Sequence, residues 1–136
     1  ENMKFIFVLL SIILFASNCF SANDFRCFVK ESYTLEDDGK LSSETNVAKS
    51  SLNKEFIVNR QTGQITGGGF TNTMSGQMPK VYDYLPSENG YKAITIYKPN
   101  NTVDYLQINE FREGKEKPFI YKGAWGEIVT GICTAY

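Results

Sequence analysis

The chain contains no histidine. That absence removes Ser–His and Cys–His activation of a nucleophile, and with it the commonest metal ligand. Serines are common, but none stands in a G-x-S-x-G setting. Net charge is only -1, with acidic and basic residues mixed along the chain. No electrostatic case therefore exists for nucleic acid or for an anionic membrane surface. Long apolar runs are also missing, since the run from Phe5 to Phe15 falls short of the roughly 20 residues that a membrane-spanning helix needs. What remains for catalysis is chemistry on paired carboxylates, and a sequence does not show such a pair meeting in space. The expectation is a protein with no catalytic residues, no cofactor and no metal.

The short apolar run is itself informative. Lys4 precedes it, and the small-residue stretch Ala16–Ala22 follows. A positive start, an apolar centre and a small-residue exit describe a secretory signal peptide. Residues 1–21 read as a cleaved leader, with Cys19 and Ser21 at the -3 and -1 positions of the cut. Residues 22–136 then form a single domain, a normal size for one core. Cys19 supports a rival reading, a lipidated mature terminus, but Asn18 and Ala16 stand where such a signal wants other residues.

Once the leader is removed, Cys27 and Cys133 remain. Two cysteines in an exported chain pair by default. Their bridge spans 106 residues, and it requires the first and last strands to be neighbours.

The pattern between them is β throughout. Phe25, Cys27, Val29, Tyr33 and Leu35 alternate on one side of a first strand, broken only by Glu31. Glu36-Asp37-Asp38-Gly39 is a turn. Residues 41–54 are polar and Ser-rich, open to either a short helix or a loop. Phe56-Ile57-Val58 runs into a tight hairpin with Gly63 at positive φ. Gly67 to Met78 reads as a flexible loop. Val81–Leu85 and Tyr91–Tyr97 flank a turn ending in Asn89-Gly90, a strong hairpin signal. Strands follow over Val103–Phe111, Pro118–Tyr121 and Glu127–Ala135. Short strands joined by tight turns give an all-β fold: a single antiparallel meander of about eight strands in a closed or nearly closed barrel, with a β-sandwich as the alternative. A terminal bridge favours closure, because pairing the first strand with the last removes both sheet edges.

Several residues stand out against this background. Asp37-Asp38-Gly39 lacks the alternating ligands of a calcium loop, and Gly67-Gly68-Gly69 lacks the Gly-Lys-Ser/Thr of a phosphate loop. The glycine loop is still the best place for a contact, since function concentrates on loops. Gly68, Phe70, Met74 and Met78 are its candidate residues. Trp125, between Gly123 and Gly126, sits in a turn setting and is a further candidate. Glu31 is the last, a carboxylate on an apolar strand face that points inward if the barrel is closed and the alternation unbroken.

The strings Phe56-Ile57-Val58-Asn59-Arg60-Gln61-Thr62-Gly63, Tyr105-Leu106-Gln107-Ile108-Asn109-Glu110-Phe111 and Lys117-Pro118-Phe119 together resemble small uncharacterised exported proteins of Gram-negative bacteria. Those proteins also carry a cysteine near each end of the mature chain. The resemblance implies a periplasmic or secreted location and brings no activity with it. The functional expectation is an exported, monomeric, non-enzymatic interaction module of unknown partner, a protein being one candidate. The alternative is a barrel carrying a small apolar ligand, and large inward aromatics would argue against it. A carboxylate-based enzyme is the third reading.

Overall fold

The computed structural model describes residues 23–83 and 90–135. The leader and the Pro86–Asn89 part of the Asn-Gly turn lie outside the described residues. Nine strands form the fold: β1 (Phe25–Leu35), β2 (Leu41–Ser42), β3 (Glu55–Val58), β4 (Ile65–Thr66), β5 (Lys80–Tyr82), β6 (Tyr91–Tyr97), β7 (Thr102–Ile108), β8 (Glu116–Lys122) and β9 (Glu127–Ala135). The open stretch 41–54 resolves into β2 and a six-residue helix, α1 (Asn46–Ser51). Thr45 caps that helix, its hydroxyl accepting from the Ala48 N–H at 3.1 Å.

All pairings are antiparallel, and the strand order is β4-β3-β1-β9-β8-β7-β6-β5, with β2 added to β1 beside β3. This is an antiparallel meander curled into a half-barrel. Cys27 and Cys133 lie directly opposite each other in the β1–β9 ladder and are bonded. Pairing the first and last strands does not remove the sheet edges, however; it moves them to β4 and β5. The two halves of the chain grow outwards from the β1–β9 seam and meet again without a backbone ladder between them.

That gap is bridged by side chains and by the glycine loop. Asn72 imitates a strand there: its carbonyl oxygen accepts from the Ile65 N–H at 2.8 Å, and its amide donates to the Gly63 carbonyl at 2.8 Å. From the other edge the Thr95 hydroxyl donates to the Asn72 carbonyl at 2.8 Å. Gly63 has the expected positive φ, +75°. A β-carbon on it would also fall 2.8 Å from Val81 Cγ2, so the hairpin it makes is pressed against β5. Asn59 organises the same hairpin by accepting from the Gln61 and Thr62 N–H groups.

The alternation along β1 is interrupted. Val29 pairs with Gly131 and Glu31 with Thr130, leaving Lys30 as an extra residue. This β-bulge reverses the face of everything after it. Phe25, Cys27 and Val29 point inwards, but the next buried residue is Ser32. Glu31 is therefore exposed on the outer face, and the Tyr33 hydroxyl donates to its carboxylate. This single inserted residue corrects the inward side expected for Tyr33 and Leu35, and for Glu31 it is the broken alternation that the sequence had left open.

The interior is filled by rings. Phe25 packs on Tyr91 with centroids 5.1 Å apart, and Phe56 meets Phe119 edge-on at 5.3 Å. Phe70 reaches in from the loop to Phe56 at 5.1 Å and to Tyr121 at 5.8 Å. Val29, Val58, Ile65, Leu106, Ile108 and Val129 complete the core around the buried disulfide. Each large side chain so buried contributes roughly 1.5–3 kcal/mol.

Candidate functional site

Two polar clusters close the ends of the half-barrel, and both are internally satisfied. At one end Arg60 donates to Asp83 at 2.9 and 3.1 Å and to Glu110 at 2.9 Å, while its guanidinium lies 4.9 Å from the Phe25 ring centroid. Burial alone would lower the Arg60 pKa, but the hydrogen bonds to Glu110 and Asp83 outweigh it and hold the guanidinium above its ordinary value. Asp83 and Glu110 do meet in space, but as the two jaws of one ion pair. With Arg60 between them they are not a free acid–base couple.

At the other end Asp104 is buried and takes three donors. The Tyr97 hydroxyl donates to Oδ2, and Oδ1 accepts from the Tyr121 hydroxyl at 3.1 Å and the Ala124 N–H at 2.5 Å. Burial, reinforced by Asp104, pushes both phenols above the ordinary tyrosine range. They are held as donors and do not act as bases. The Ala124 contact fixes the β8–β9 turn to β7, and this is what positions the next residue, Trp125.

Trp125 is 80% exposed at the tip of that turn. It forms one wall of a groove of about 460 Å³. The opposite wall is α1, through Val47, Ser50 and Ser51, with Lys54 just after the helix. Gly68, Gly69, Phe70 and Glu127 complete its lining. Each wall is anchored in the core: α1 by the fully buried Ala48, Phe70 by Phe56 and Tyr121, and the turn by Asp104. The site is thus preorganised, which lowers the ordering cost of binding.

Glu127 is the unusual member. Its Oε2 is buried without a hydrogen-bond partner, and the carboxylate is packed over Gly123, where a β-carbon would fall 2.0 Å from Oε1. Burial raises its pKa above the ordinary carboxylate value, with Asp104 adding to the effect. Both hydroxyls of α1, Ser50 and Ser51, donate back to the Val47 carbonyl at 2.8 and 3.3 Å, leaving their lone pairs to face outwards as acceptors. A second, larger concavity of about 530 Å³ is formed by the β1–β2 turn and the residues after it. It has no aromatic wall, and its one cation, Lys40, is paired with Asp38 at 3.1 Å.

Of the residues singled out in the sequence, Gly68, Phe70 and Trp125 come together on this groove. Met74 lies half-buried in a one-turn 3₁₀ segment (Met74–Gly76), and Met78 is exposed farther along the same loop. Neither lines the groove, and Glu31 is elsewhere on the outer face of β1. Lys54, Ser50 and Ser51 carried no sequence signal. Glu127 did carry one, because it continues the inward alternation of Val129 and Cys133 on the last strand. Among the described residues, no helix is long and apolar enough to cross a membrane. Together with the disulfide, this is compatible with an exported protein. No family model, no curated protein and no solved structure matches the chain.

Proposed function

We propose that this chain is an exported, non-enzymatic binding module that meets its partner through the groove between Trp125 and Phe70. The observation that carries this reading is Trp125 itself. A turn between two glycines has no structural use for an indole, and this one contributes little to the core. With the exposed Val47 and the half-buried Phe70 it makes a contiguous apolar patch, and such patches mark interaction sites. The clusters at the two ends favour binding over catalysis, because their carboxylates are already engaged by Arg60 and by the Asp104 donors. The carrier alternative is weakened by the interior, which Phe25, Phe56, Tyr91, Phe119 and Tyr121 occupy.

Native mass spectrometry of the protein taken from its exported compartment tests the reading. A companion mass seen with the wild type and lost from Trp125→Ala is the expected result. A companion unaffected by Trp125→Ala but released on unfolding would hand the function to the interior carrier. A bare chain in both samples would count against a binding role at this groove.

A further inference from the structure

We infer that the groove takes an uncharged, polyhydroxylated ring, a saccharide unit, stacked on the exposed face of Trp125. The inference rests on the binding-module reading above and names the chemistry of its ligand. Charge balance is the first argument. The groove holds one ammonium, Lys54, and one carboxylate, Glu127, so neither a cation nor an anion is attracted without also being repelled. An uncharged ligand meets no such conflict.

The second argument is the kind of polar group on offer. The hydroxyls of Ser50 and Ser51 donate back to the helix, so their lone pairs are the acceptors on offer. The Lys54 side chain supplies donors and is engaged by nothing else among the described residues. Such a mixture matches hydroxyl groups, each of which both donates and accepts. A purely apolar ligand would instead cover Lys54 and the serine hydroxyls without partners.

The third argument is shape. Trp125 and Phe70 present aromatic surface, and Gly68 and Gly69 keep the floor between them free of side chains. A pyranose has an apolar face of C–H groups for the indole and a rim of hydroxyls for the polar residues. Few other small uncharged groups combine both so closely.

Trp125 is the only tryptophan of the chain, so its emission reports this site alone. The experiment titrates the full exported chain with maltotetraose, cellotetraose and chitotetraose, with tetralysine as a cationic control. A saturable blue shift with one of the tetrasaccharides, indifferent to salt, is the expected result. Lys54→Met and Ser50→Ala should each weaken that binding about tenfold while leaving the melting transition cooperative. Calorimetry with Trp125→Ala, which has no emission to follow, should show binding abolished.

A shift with tetralysine that fades with added salt, and none with the sugars, would overturn the ligand class but leave the binding surface standing. Silence towards all four probes would also overturn the saccharide inference. The broader reading fails if the mass-spectrometric companion ignores Trp125→Ala or if no companion is seen, so the two failures are distinguishable.

Discussion

Gly131 lies so close to the backbone of Phe28 that a β-carbon on it would fall 1.9 Å from the Phe28 carbonyl oxygen. The contact sits directly opposite the Lys30 bulge, where β1 bends towards β9. The bulge determines which residues after position 30 face the core, so Gly131 is the residue that permits the inward turn of Ser32. Gly131→Ala should destabilise the fold by about 3 kcal/mol or more, since the obstacle is backbone on a central strand. Thr130→Ala, its neighbour on the outer face, should change stability by less than about 1 kcal/mol. Urea unfolding of the two variants checks the contrast, and equal midpoints would remove the bulge from its assigned role.

The Cys27–Cys133 bond links residues 106 apart at the centre of the sheet. Both sulfurs are inside the core, so their replacement removes a covalent constraint and some packing together. The Cys27→Ala, Cys133→Ala double variant should lose about 2–5 kcal/mol, which lowers the melting temperature by about 10 °C or more. Calorimetry with intact and reduced protein provides the measurement. Coincident melting curves would show that the ladder alone holds β1 to β9.

Asp104 serves two phenols and the turn that carries Trp125. Asp104→Ala strands three buried donors and should cost about 3–5 kcal/mol. Asp104→Asn keeps the Oδ1 acceptor and should recover part of that loss. A readout that packing alone would not move is the fluorescence anisotropy of Trp125. It should fall in the alanine variant and stay near wild type in the asparagine variant.

The pH dependence at Glu127 has a definite sign. Its folded pKa is raised from the ordinary 4.5 by burial and then by Asp104. The native state therefore holds this proton more tightly than the unfolded chain does. Its stabilising effect is complete below the ordinary value and is lost as pH rises through the raised one. Glu127→Gln, which never ionises, should match the wild type near pH 4 and exceed it by about 1 kcal/mol near pH 7. Thermal melts at the two pH values provide the comparison, and a gap that widens towards acid would contradict the sign.

The groove was only partly readable in advance. Trp125 betrayed itself by standing between glycines, and Gly68 and Phe70 by following a loop without strand periodicity. Lys54, Ser50 and Ser51 gave no such sign, because they gain meaning only once α1 is packed against β1 and β9. The face of Glu31 stayed open for a related reason. A strict period of two places it inside, and nothing local to Lys30 marks the inserted residue. The obstacle that pairs with the bulge, Gly131, lies a hundred residues later in the chain.

Local chemistry, by contrast, is written into the chain itself. Alternation of apolar and polar residues specifies strands, Gly63 and Asn59 specify a hairpin, and Cys27 and Cys133 specify which strands adjoin. The lack of histidine excludes most nucleophilic chemistry before any coordinates are consulted. Tertiary structure alone decided where the sheet opens, since that depends on Asn72 substituting for a strand between β4 and β6. It also decided that the carboxylates at the two ends are consumed by Arg60 and by the tyrosines, and that Glu127 is left over beside Trp125. Contacts of this kind join residues 20 to 50 positions apart. Their energies depend on burial, which a sequence pattern suggests for each residue separately but never for a pair.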